Sequence, residues 1–136
     1  MAENKVEDFL FEKESYIIRG ACFEVWKEFG GAFKESIIDR ALTKALKAKG
    51  LQVDDQKRID IFFKNEKVGT YVPDKVIENK IILELKVKQF LTKQDTEQFW
   101  KYLKGSNYKL GFLVMFTSQK LIIKRIVYDK ARYQSA

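Results

Sequence analysis

The stretch Tyr71–Lys88, YVPDKVIENKIILELKVK, restricts the fold of this chain more tightly than any other. Two runs of β-branched and aliphatic residues flank a turn-like trio, Glu78-Asn79-Lys80, so the segment reads as a β-hairpin. Side chains alternate along a strand. Ile82, Glu84, Lys86 and Lys88 therefore share one face, and Ile81, Leu83, Leu85 and Val87 share the other. A three-residue loop pairs Ile77 with Ile81 and sets Asp74 directly across from Glu84; a two-residue loop would turn the two carboxylates to opposite faces. Under the odd-length loop, two acids at cross-strand distance beside the Lys86 ammonium suit a divalent cation. An amphipathic strand with a solvated Glu/Lys face has the same alternation, and spacing alone does not separate the two readings.

The chain has no histidine. That removes Ser-His-Asp and Cys-His catalysis, histidine general bases and most transition-metal sites. Chemistry is left to carboxylates, lysines and hard-cation coordination. The single cysteine, Cys22, lies in an apolar context and reads as a small core residue.

The formal charge of +7 is uneven: residues 1–100 carry 18 Lys and Arg against 18 Asp and Glu, whereas residues 101–136 carry 8 against Asp129 alone. A basic C-terminal third favours a polyanion, nucleic acid first, although a lysine-rich soluble surface has the same composition. The acid-containing N-terminus, MAENKVEDFLFEKE, is neither a secretory signal nor a membrane span, so a cytoplasmic protein without membrane contact is expected. The length suits one domain, taken as residues 15–136 behind a tail of residues 1–14 in which Phe9-Leu10-Phe11 docks.

In chain order, the pattern predicts a helix from about Ser15 to Phe29, stopped by Gly30-Gly31. AFKESIIDRALTKALKAKG follows as the longest helix, with Gly50 suited to a left-handed cap. Its core arc is Phe33, Ile37, Ile38, Ala41, Leu42, Ala45 and Leu46. Glu35 falls inside that arc, either reaching sideways to water from the first turn or pointing into a polar pocket. Ile59, Ile61 and Phe63 alternate as a strand leading through Lys64-Asn65-Glu66-Lys67 into KVGTYVPDKVIE. Gly69 marks a bulge there, and Pro73 an irregularity just before Asp74. Thr92–Gly105 reads as a helix with Thr92 and Asp95 in capping-box spacing, Gln98 and Tyr102 on one face, and Phe99 and Leu103 on the next. LGFLVMF and LIIKRIVY close the chain as buried and half-buried strands, with Lys124-Arg125 and a tail of Lys130 and Arg132 beside Tyr128 and Tyr133.

Asp74 after Pro73, then Glu84-Leu85-Lys86, with Glu35 on the preceding helix, resembles the PD-(D/E)XK nuclease superfamily. From Cys22 to Tyr128 the chain is more specifically similar to the GxxExxY proteins, through FEVWKEFGGAFKES, KVGTYVPDKVIENKIILELK, EQFWKYLKGSNYKLGFLV and LIIKRIV. It carries Ala32 and Ile38 where that family's pattern has Gly and Tyr. The resemblance implies an α/β, restriction-endonuclease-like αβββαβ core, a central mixed sheet flanked by helices. It implies a Mg²⁺ or Mn²⁺ ion held by Asp74, Glu84 and the Leu85 carbonyl, with Lys86 and Glu35 serving the attacking water. It further implies that Gln98 and Tyr102 contact nucleic acid. From charge we add Lys104, Lys124 and Arg125 to that surface. The expected activity is metal-dependent hydrolysis of phosphodiester bonds in DNA. Two alternatives remain: an inactive nucleic-acid or protein binding module on the same fold, and a subunit that forms a homodimer through a sheet edge or Phe9-Leu10-Phe11.

Overall fold

The computed structural model describes residues 10–128. Helix α1 (Glu12–Phe29) and helix α2 (Glu35–Ala48) come first, followed by the short strand β1 (Val53–Asp54) and the strands β2 (Ile59–Phe63) and β3 (Glu66–Tyr71). Strands β4 (Lys75–Ile77) and β5 (Ile81–Val87), helix α3 (Lys93–Ser106) and strands β6 (Leu110–Phe116) and β7 (Leu121–Val127) complete the chain.

A five-stranded mixed sheet runs β1-β4-β5-β6-β7. Only β5 and β6 are parallel, as the α3 crossover between them demands. The apolar run LGFLVMF becomes the fully buried β6, which packs on both faces. Toward α1 and α2, the sheet sets Ile81, Leu83, Leu85, Phe112 and Val114 against Ile18, Cys22, Ile38, Leu42 and Leu46. On the opposite face Ile82 and Leu113 meet Phe99 and Leu103 of α3 together with Ile59 and Tyr71. Cys22 is wholly buried, and burial pushes its thiol up to about 12, so it serves as a core residue.

The β4–β5 turn is the odd-length one. Ile77 pairs with Ile81 and Lys75 with Leu83 around Glu78-Asn79-Lys80, with Glu78 and Asn79 at positive φ. The stretch KVGTYVPDKVIE, expected as one distorted strand of a three-strand meander, is instead two strands in different sheets. β2 and β3 form a separate hairpin, and the chain leaves it at Val72-Pro73-Asp74 to enter the main sheet as β4. Proline has no N–H to offer a ladder, so the break falls at the one residue unable to continue it. The hairpin turns at Lys64-Asn65, both at positive φ, and its register slips between Ile61/Phe62 and Gly69/Lys67, a bulge beside Gly69 as expected.

Several expectations shift. α1 starts at Glu12 rather than near Ser15. Leu10 and Phe11 pack partly buried on the core. Phe9 and the basic tail from Lys130 lie outside the described residues. Phe33 and Ile37 are 46% and 43% exposed, because Phe33 precedes α2 and Ile37 lies at the margin of its apolar stripe. α3 keeps the Thr92/Asp95 capping box but runs through Gly105 to Ser106, where Asn107 in the left-handed region ends it. Strand β1 has no signal of its own in two residues.

Gly31 seats the α1–α2 connection. A Cβ there would lie 2.3 Å from the Thr117 carbonyl carbon, so only glycine lets this loop meet the β6–β7 turn. Trp26 Nε1 donates to the Thr117 oxygen at 2.9 Å from the same side. That contact sets where α2 begins, and therefore where Glu35 stands.

Candidate active site

Because β4 begins only at Lys75, the C-terminal half of β5 loses its antiparallel neighbour. The Leu85 and Val87 amides point into that gap, since alternate residues of a strand direct their hydrogen-bonding groups to the same edge. Side chains satisfy both. Asp74 Oδ2 accepts from the Leu85 N–H at 2.7 Å, and Glu35 Oε1 accepts from the Val87 N–H at 3.3 Å. In return the Asp74 N–H donates to Glu84 Oε1 at 2.9 Å. Asp74 and Glu84 thus lie on the same face, each with one oxygen tied to main chain and the other not so tied. By the same alternation the Leu85 carbonyl points to the gap.

Asp74 and Glu84 are half-buried, Glu35 is exposed, and the three acids share a like-charged setting. Burial first, and then the charge of Asp74, pushes Glu84 up to about 7. Burial also raises Asp74, against the Leu85 amide and Lys86, which lower it. Glu35, from the layer on the other side of the sheet, is raised by burial and by Asp74. Two neighbouring carboxylates resist joint ionisation unless a cation joins them. Lys86, two residues beyond Glu84 on the same face, has no ion pair among the described residues, and its charge favours the ionised form of all three acids. Lys88, next on that face, is paired with Asp95 at the start of α3.

Oxygen donors of this kind suit a hard divalent cation. The set is two carboxylates and main chain; among the described residues no three His, Cys, Asp or Glu side chains gather into a metal-binding cluster.

Two features here are absent from the sequence reading. Lys75, wholly buried, turns to the α2 side of the sheet. There it pairs with the Asp39 carboxylate and lies 3.2 Å from the Asp39 main-chain oxygen and 3.6 Å from Asp55 Oδ1. It thereby pins α2 one turn from Glu35. A lysine in register with Leu83, beside Val76 and Ile77, was the available signal. The second is Tyr71, 6% exposed, whose hydroxyl faces Glu84 without a formed hydrogen bond. Tyr102 stacks on it, with ring centroids 4.2 Å apart and planes 11° apart.

The structure brings Asp74, Glu84, Leu85, Lys86 and Glu35 to one edge of the sheet, with Tyr102 next to them through Tyr71. Gln98 and Tyr102 line one groove on α3. Lys104 is exposed farther along that helix, in a second groove. Lys124 and Arg125 are not brought together. Successive residues of β7 face opposite sides, and Arg125 donates to the Leu10 oxygen at 2.6 Å on the α1 side.

No helix among the described residues is long and apolar enough to cross a membrane. A family model of the PD-(D/E)XK nuclease superfamily matches residues 12–126, from the first helix to the last strand. No curated protein and no solved structure matches the chain.

Proposed function

The chain belongs to the PD-(D/E)XK nuclease superfamily, and from that premise we propose that it is a divalent-metal-dependent nuclease hydrolysing phosphodiester bonds in DNA. The superfamily supports a nuclease-type function acting on nucleic acid. The reading of this particular site rests on one observation, the cross-strand placement of Asp74 and Glu84 with only one oxygen of each tied to main chain.

In this reading Asp74, Glu84 and the Leu85 carbonyl would hold Mg²⁺ or Mn²⁺, which would supply charge neutralisation at the phosphate and a more acidic water. Asp74 and Glu84 take their working orientation from main-chain amides, so neither needs to reorder on loading. Lys86 orients the attacking water and faces the phosphate. Glu35 accepts a hydrogen bond from that water while still anchored to the Val87 amide. Gln98 and Tyr102 contact the nucleic acid beside the scissile phosphate.

Calorimetric titration of Mn²⁺ tests the reading before any substrate is chosen: the unmutated chain takes up the ion and Asp74→Ala does not. Cleavage of a DNA probe with Mg²⁺ or Mn²⁺, lost in Glu84→Ala and Lys86→Ala, completes it. Binding of DNA that is indifferent to divalent metal, with no scission in any, would instead mark a binding module on a nuclease fold.

A further inference from the structure

Two grooves run along the seam between the β2–β3 hairpin and α3. The first, about 720 Å³, is lined by Ile61, Gln94, Glu97, Gln98, Lys101 and Tyr102. The second, about 570 Å³, has Phe62, Lys64, Lys101 and Lys104 on its walls. Lys101 borders both. The acids in them are already answered: Glu97 lies 3.9 Å from Lys93, and Asp60 lies 3.2 Å from Lys67. Lys64, Lys101 and Lys104 make no ion pair among the described residues. The seam therefore presents net positive charge.

Aromatic rings punctuate the same path. Phe62, on the wall of the second groove, is 55% exposed; Phe63 beside it, 63% exposed, lines neither groove and has the Lys64 ammonium 5.4 Å from its ring centre. The two-residue turn at Lys64-Asn65 fixes how the tip is presented. At the inner end, Tyr102 has one face on Tyr71, which in turn faces Glu84, and is 39% exposed. Apolar rings alternating with unpaired lysines match a chain of phosphates with free base faces. A duplex keeps its base faces stacked inside, and would find only the lysines.

We propose that this seam is a track for single-stranded nucleic acid, leading from Phe62 past Lys101 to Tyr102 and the carboxylates. The proposal deepens the nuclease reading and rests on it for the direction of the path. Bases stack on Tyr102 and Phe62, and Lys101, Lys104 and Lys64 meet the phosphates between them.

The test is fluorescence anisotropy in EDTA with a labelled oligothymidylate and a labelled duplex of the same length. The single strand binds more tightly than the duplex. Phe62→Ala weakens the single strand about fivefold or more, because one stacked base is lost, and leaves the duplex unchanged. Phe62→Trp restores it, and Lys101→Glu weakens both probes. Equal affinity for the two probes, or full single-strand affinity in Phe62→Ala, overturns the proposal. So does a dimer that Phe62→Ala converts to monomer by light scattering, which would assign the tip to self-association. Asp74→Ala separates this proposal from the nuclease reading. Cleavage that persists in that variant sinks the carboxylate assignment, while the anisotropy result decides the track independently.

Discussion

Lys75 Nζ is paired with the Asp39 carboxylate across the boundary between the sheet and α2, one residue after Asp74 and one helical turn after Glu35. The lysine is wholly buried and the aspartate 30% exposed, so the pair ties the two sources of the site's acids to one another.

Removing the acid leaves the ammonium buried with the main-chain oxygen of position 39 at 3.2 Å and Asp55 at 3.6 Å. Asp39→Ala is therefore expected to cost about 3 kcal/mol, the lower end for a broken buried pair because Asp55 remains. Urea unfolding of the two proteins measures it. A loss under about 1 kcal/mol would mean the pair does not anchor α2.

The pH dependence of stability follows from Glu84. Its carboxyl is raised from 4.5 to about 7, so the folded chain holds a proton that the unfolded chain has released. That contribution is fully present below pH 4.5 and is lost as pH rises through 7. Asp74 and Glu35 are raised too and act in the same direction. In EDTA the protein should unfold at higher urea at pH 5 than at pH 8, by a difference on the order of 3 kcal/mol. Glu84→Gln should remove most of it. A flat profile in the unmutated chain would contradict the raised Glu84 carboxyl.

Divalent metal should offset most of that trend. Ion binding to the ionised pair stabilises the folded state by mass action, about 2.7 kcal/mol at a hundredfold excess over the dissociation constant. Thermal melts at pH 8 with and without Mn²⁺ check this. The unmutated chain gains melting temperature and Asp74→Ala does not; an equal gain in both would put the ion elsewhere.

Gly31 admits no side chain. Its Cβ would meet Thr117 and Ser118 main chain at 2.3 to 2.7 Å, and backbone on both sides cannot step aside as a flexible side chain would. Gly31→Ala is expected to cost about 1–3 kcal/mol in urea unfolding. Gly20→Ala, where an added Cβ would meet only open space, serves as the control and should be neutral or slightly stabilising.

How much of this was legible in the sequence depends on the range over which each feature is decided. Alternation tied the common face of Asp74 and Glu84 to the parity of the Glu78-Asn79-Lys80 loop, a local feature whose odd length the structure supplied. The α3 capping box, the buried run of β6 and the Phe99/Leu103 seam are local too. Tertiary packing alone decided that β3 and β4 belong to different sheets, that Glu35 reaches the open edge of β5 from the opposite layer, and that Lys75 pairs with Asp39. It also set Tyr71 between Tyr102 and Glu84 and turned Arg125 away from Lys124 toward Leu10. Periodicity determines which face of an element a residue occupies. What stands opposite that face is chosen by contacts between segments far apart in the chain, whose energies no local pattern carries.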